Sequence, residues 1–171
     1  MDNISLILHV SAAVLFIGPQ VILFLAVIPA TLLIKDERLR RDVTMVVTQR
    51  FGKIAGFALV LLLVTGLYQF TSVTPEAVTE NMNSYRYGWL FMTKMLLFSA
   101  VVVLVAMHVV VGRRVGRLTE AVISSQGDEF ELEHARQRSF QLSAVMLLVS
   151  FAILAFGVML GRGVEFSYLS S

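Results

Sequence analysis

Four long apolar segments, separated by polar and charged stretches, constrain the fold of this chain more than any other feature. Each is near or above the roughly 20 apolar residues that a helix needs to cross the hydrocarbon core of a bilayer. None of them alternates with the period of a β-strand. We therefore predict an all-α, integral membrane four-helix bundle that forms a single domain over residues 1–171. The spans are expected at about residues 4–34, 52–70, 88–112 and 140–161.

The composition supports this prediction and removes several kinds of chemistry. Charged residues make up 15% of the chain, and the mean hydropathy is +0.78. Cysteine is absent, which excludes disulfides, thiolate metal sites and a cysteine nucleophile. No carboxylate lies inside any of the four spans, so neither hydrolysis nor an acidic proton relay is indicated. The net charge of +2 is too small to suggest a nucleic-acid partner.

Lysine and arginine residues are concentrated in the first and third loops between the spans, which predicts the orientation of the chain. The start of the chain lacks the basic region of a secretory signal, so the first span is expected to be retained. Both termini should then lie on the outer side of a bacterial inner membrane. The first loop contains Lys35, Arg38, Arg40, Arg41, Arg50 and Lys53, the third contains Arg113, Arg114, Arg117, Arg136 and Arg138, and only Arg86, Lys94 and Arg162 lie elsewhere.

Small residues and prolines suggest details of helix shape and packing. Gly18-Pro19 lies near the middle of the over-long first span and predicts a kink there, and Pro29 predicts a second change of direction. The pairs Gly52/Gly56 and Gly157/Gly161 have the spacing of close helix–helix contacts. The mixed-charge third loop is expected to extend spans three and four as helices, with a break near residues 124–128.

Three ionisable residues inside the spans are the main candidates for function, because charge at membrane depth is costly. The first is His9, and the others are Lys94 and His108. His9 and Lys94 both lie near the outer ends of their spans and can share one depth, together with Gln69 and Arg162. His108 lies near the cytoplasmic face, about 21 Å from Lys94 along one helix, on nearly the same side of it.

Each of these residues also has a purely structural interpretation. Lys94 could extend to the outer interface beside Trp89, as lysines near helix ends do. His9 could cap a carbonyl, and His108 could pair with Gln141 on span four. Gln20, at mid-membrane depth, most often indicates an interhelical hydrogen bond, and His134 lies in a charged loop where it is expected to be solvated.

Several short motifs resemble known membrane proteins. The first span, with Leu8-His9-Val10-Ser11 and later Val27-Ile28-Pro29-Ala30, resembles the CopD-like four-helix membrane proteins, and Val64-Thr65-Gly66-Leu67 is similar to their second helix. The third span, with Gly88-Trp89 and Thr93-Lys94, is similar to the third helix of the HemJ-type protoporphyrinogen oxidases. The resemblance extends over about residues 4–115.

The HemJ-like part of the resemblance implies that His9 binds haem b and that Trp89 and Lys94 are functionally important. The resemblance also offers protoporphyrinogen oxidase activity as an alternative. The sequence departs from the HemJ motif in residues 27–31, which lack the arginine and the further histidine that HemJ-type chains have after the first helix. The CopD-like part implies copper handling.

The sequence hypothesis is a haem-b-binding protein that transfers electrons or serves as an accessory subunit of a membrane redox complex. His9 is the expected axial ligand and His108 a possible second metal ligand, with one haem or at most two. Lys94, Trp89, Arg162 and Gln69 are expected to surround the cofactor. The alternatives are a cofactor-free structural subunit and CopD-like copper transport. The expected partners are the lipid bilayer and either other membrane subunits or further copies of the chain.

Overall fold

Long helices dominate the computed structural model, which describes residues 3–72 and 74–160. They are α1 (Asn3–Ile22), α3 (Glu37–Ser72), α5 (Arg86–Ile123) and α6 (Glu129–Leu160). The first of them continues through a π-helical turn, Leu23–Val27, into α2 (Ile28–Leu32). Short elements, α4 (Glu76–Glu80) and the 3₁₀ turn Met82–Ser84, lie between α3 and α5. No strand occurs in this part of the chain, and the all-α prediction is confirmed.

Four of the described helices are long and apolar enough to cross a membrane, with α1 to α2 counted as one span. Their outward side chains are apolar. Leu96 and Leu148, for example, are about 70% exposed, which a helix surface tolerates when lipid rather than water surrounds it. The chain is therefore a multi-pass membrane protein.

The four spans pack as two antiparallel pairs. α1 lies against α3, α5 lies against α6, and smaller contacts between α1 and α6 and between α3 and α5 complete the bundle. A buried apolar layer of Phe16, Ala58 and Val101 joins α1, α3 and α5 at mid-depth, and Val149 and Ile153 of α6 pack against it. This layer separates the polar residues of the bundle into two groups.

The helices extend beyond the predicted spans on the basic side of the bundle. Residues 37–51, predicted as a loop, form the first turns of α3, and only a short turn separates them from α2. α5 and α6 extend toward each other and break at residues 124–128, as predicted. Ion pairs join these extensions: Arg136 to Glu37, Arg41 to Glu120 and Arg114 to Glu131.

The structure adds one detail of helix shape and differs from one prediction about packing. A π-helical turn falls at Leu23–Val27, where the Ile28 amide bonds the Leu23 carbonyl five residues back; α1 continues as a helix through Gly18-Pro19, and the kink there stays a prediction. The wider turn lies directly before Pro29, whose ring nitrogen cannot donate to the preceding turn. The predicted contact at Gly52 and Gly56 is wrong, since a Cβ at either position would meet no atom within 4 Å.

The absence of cysteine permits a direct test of orientation. We expect Asn83→Cys, in the loop between α3 and α5, to react with a membrane-impermeant maleimide in intact cells. Gln126→Cys, in the break between α5 and α6, should react only after the membrane is permeabilised. Both positions are exposed, and the cysteine-free parent chain provides a background without labelling. The reverse pattern would show that the termini lie in the cytoplasm.

Candidate functional site

A line of polar contacts joins the N-terminal half of α1 to the C-terminal half of α3. Ser5 and His9 lie one turn apart on α1, and Thr65 and Gln69 lie one turn apart on α3. The Gln69 side-chain amide donates to the Ser5 hydroxyl at 3.3 Å. One turn further in, His9 Nδ1 lies 2.8 Å from Thr65 Oγ1. Because i and i+4 residues share a helix face, the two pairs form one continuous seam.

The hydrogen bonds of Thr65 determine which His9 nitrogen carries the proton. The Thr65 hydroxyl donates its single proton to the Leu61 carbonyl at 2.6 Å. It must then accept from His9, so Nδ1 of the ring is protonated and donates to it. The neutral imidazole therefore keeps its lone pair on Nε2, free of any hydrogen bond from residues 3–72 and 74–160, and this is the atom that can bind a metal ion or a haem iron.

Glycines on α3 and α6 allow the His9 ring and the Lys94 ammonium group to approach the helix backbones closely. A Cβ at Gly66 would lie 3.5 Å from His9 Cε1, so the imidazole packs directly on α3. A Cβ at Gly157 would lie 3.9 Å from Lys94 Nζ, so the lysine of α5 extends to α6. The Lys94 ammonium is also within electrostatic range of His9. All four spans thus contribute to one polar layer, defined by His9, Thr65, Lys94 and Gly157, which we call the outer layer because the distribution of basic residues predicts that this end of the bundle faces outward.

A second group of polar residues lies on the other side of the apolar layer. The Ser150 hydroxyl of α6 lies 3.2 Å from Gln20 Oε1 and 2.7 Å from the Met146 carbonyl oxygen, and these two acceptors share its single proton. This contact confirms the predicted interhelical hydrogen bond of Gln20. His108 follows Val101 by seven residues on α5, so it lies about 10 Å further toward the basic end, on the same helix face as Lys94 and Val101.

The ring of His108 lacks a polar contact in the described residues. Its Nδ1 atom is buried and has no hydrogen-bond partner there, so the bond to Gln141 considered above does not form at this atom. A buried nitrogen without a partner is costly and is often explained by a bound group. His134 is exposed, as expected for a solvated residue, and its Nδ1 lies 3.2 Å from the Phe130 carbonyl oxygen.

The structure brings together some of the predicted site residues and separates others. His9 and Lys94 lie within electrostatic range of each other in the outer layer, and Gln69 lies one turn away from His9 along the seam. Trp89 is 65% exposed on the bundle surface and does not line this layer. Arg162 lies outside the described residues. His9 and His108 stay on opposite sides of Phe16, so they cannot bind one ion together.

Thr65 and Gly66 were not identified as site residues from the sequence, although both belong to the motif on which the resemblance rests. The spacing of polar residues on the first two spans could have identified Thr65. Ser5 and His9 on one helix and Thr65 and Gln69 on the next form two i,i+4 polar pairs at matching distances from the outer end. Such pairs on otherwise apolar spans indicate facing helix sides, because isolated polar groups are avoided in lipid.

Comparison with known proteins gives one match. A family model described as copper resistance protein D, CopD, matches residues 45–160. This region covers α3 from its third turn onward, α5 and α6, so it includes Thr65, Lys94 and His108 but not His9. No curated protein and no solved structure matches the chain significantly.

Proposed function

The chain belongs to the copper resistance protein D family, and from that premise we propose that it handles copper in the membrane, with His9 binding the ion as cargo. The observation that carries this proposal is the free Nε2 lone pair of His9, which follows from the bond between Nδ1 and Thr65. Imidazole is a suitable ligand for copper ions. The ring is held between helices at the outer end of the bundle, where an ion from outside would enter.

His108 is the proposed second copper ligand. It lies on the opposite side of the apolar layer of Phe16, Ala58 and Val101, and its buried Nδ1 has no partner in the described chain. Two histidines on either side of an apolar barrier suit successive binding of one cargo ion. Neither site has a thiolate, since the chain lacks cysteine, and weak binding at both favours release.

Haem b is a second candidate ligand. The observation that favours it is the position of the Lys94 ammonium group within electrostatic range of His9. A cation beside His9 opposes a copper ion at Nε2, whereas the same ammonium would attract a haem propionate. His9 would then be the axial ligand and Lys94 the propionate partner. Haem would supply one-electron redox chemistry, and the chain would hold and orient it within a membrane redox complex.

Lys94→Met distinguishes the two candidates because it removes this charge while keeping a similar side-chain length. If copper is the cargo, the purified protein should show no Soret band, and Cu(I) titration against a chromophoric competitor should give roughly tenfold tighter binding for the variant. If haem is bound, the wild type should be coloured and the variant should lose haem.

Lys53→Met is the matched control, since Lys53 is exposed on the basic half of α3 and should change neither result. A colourless wild type that binds no copper would contradict both candidates. The remaining alternative, a cofactor-free structural subunit, would then gain support if other membrane proteins co-purified with it.

A further inference from the structure

A cleft between α3 and α5 at the basic end of the bundle contains three arginines. It has a volume of about 650 Å³, and its walls are Arg41 of α3 and Arg113, Gly116, Arg117 and Glu120 of α5. Glu120 is paired with Arg41 at 2.5 Å. The carboxylate therefore neutralises one guanidinium, and Arg113 and Arg117 leave a net positive charge in the cleft.

The shape of the cleft follows from the helix that carries it. Arg113 and Arg117 are four residues apart, so both guanidinium groups leave the same face of α5. Gly116 lies next to them, and a Cβ there would meet no atom within 4 Å. The glycine leaves the floor of the cleft open between the two arginines and the Arg41–Glu120 pair. α3 and α5 touch only lightly, which leaves the cleft open at the side of the bundle.

The depth of the cleft indicates what kind of ligand it suits. The apolar part of α5 ends at Gly112, and Arg113 is the next residue, so the cleft begins where the hydrocarbon core ends. Lipid phosphates occupy this depth, and clefts between transmembrane helices with several basic residues suit anionic headgroups. Guanidinium groups bind phosphate oxygens through paired N–H donors.

We propose that this cleft binds the phosphate headgroup of an anionic phospholipid, with Arg113 and Arg117 as the direct ligands. Arg41 is a positioning residue, because its ion pair with Glu120 joins α3 to α5 beside the two arginines. The acyl chains of such a lipid would lie along the exposed apolar surface of α5, where Val103 and Val110 are 58% and 65% exposed. This site is independent of the copper proposal.

The test compares lipid binding by two charge-matched double variants in mixed micelles. Delipidated wild-type protein should bind phosphatidylglycerol in native mass spectra and discriminate against phosphatidylcholine. Arg113→Gln with Arg117→Gln should weaken phosphatidylglycerol binding by roughly 25-fold, since each arginine near the headgroup contributes about fivefold. Arg38→Gln with Arg50→Gln removes the same charge from exposed positions on the same end and should leave binding unchanged.

A third variant tests the cleft without changing charge. Gly116→Leu fills the open floor and should also weaken phosphatidylglycerol binding while raising helix propensity, so a folding defect would not explain the loss. Equal losses in the two double variants would overturn the proposal. So would equal binding of phosphatidylcholine, or complete displacement by millimolar inorganic phosphate, which would indicate a site for free anions instead. Preference for an acidic peptide over the lipid would overturn it as well.

Discussion

His9→Ala is expected to weaken copper binding by at least about a hundredfold, or to remove haem if haem is the ligand. Loss of a partner that only orients a ligand typically costs 10- to 100-fold in metal affinity, and loss of the ligand atom itself should cost no less. The free Nε2 of His9 is the proposed binding atom in both cases. The measurement is a Cu(I) titration of purified protein, together with its absorption spectrum.

His134→Ala is the matched control for this substitution. It removes a second imidazole from the chain, at an exposed position on α6, and should leave copper binding and the spectrum unchanged. His9→Gln serves as a second variant that retains a polar side chain in the layer, so an effect shared by both His9 substitutions would not reflect loss of packing. Wild-type affinity in His9→Ala protein of normal elution profile would refute the assignment of His9.

Thr65→Val is expected to weaken binding at His9 by about 10- to 100-fold, although Thr65 does not touch the ligand. Valine has nearly the same shape as threonine but cannot accept the Nδ1 proton. The imidazole would then lose the contact that fixes its orientation and its tautomer. Stability should fall as well, by about 1–3 kcal/mol, because the substitution leaves the Nδ1–H group of His9 without its partner across the α1–α3 seam.

Thr65→Ser keeps the hydroxyl and provides the control, so it should retain most of the wild-type affinity. The same comparison can be made optically if haem is bound, where Thr65→Val should shift the Soret band and Thr65→Ser should not. Equal affinity of the valine and serine variants would show that the hydrogen bond from His9 to Thr65 does not position the ligand.

The general architecture was predictable because the bilayer imposes strict rules on a sequence. A run of apolar residues that must satisfy its own backbone hydrogen bonds has to be helical, so the four spans followed from hydropathy. The break at residues 124–128 followed from its small and polar residues. The helical start of α3 could not be predicted in the same way, because residues 37–51 are charged. Their ion pairs with α5 and α6 become visible only when the helices are assembled.

The candidate site was predictable only in part. Depth along each helix is a sum of residue rises, so the common level of His9 and Lys94 could be calculated from the sequence. The direction in which a side chain points around a mostly apolar helix could not be calculated in this way, since lipid-facing and core-facing residues are equally apolar there. Trp89 was therefore expected in the site but lies on the surface, and Gly52 and Gly56 face no helix.

The sequence by itself determined the number of spans and the depth of each ionisable residue, because both depend on one-dimensional distances along helices. Tertiary structure alone decided which polar groups meet. The pairing of α1 with α3 put Thr65 against His9 and so determined the free nitrogen of the ring. Helix rotation also turned Phe16 inward against Ala58 and Val101, because contacts across a bundle depend on the rotation of each helix, which hydropathy does not encode.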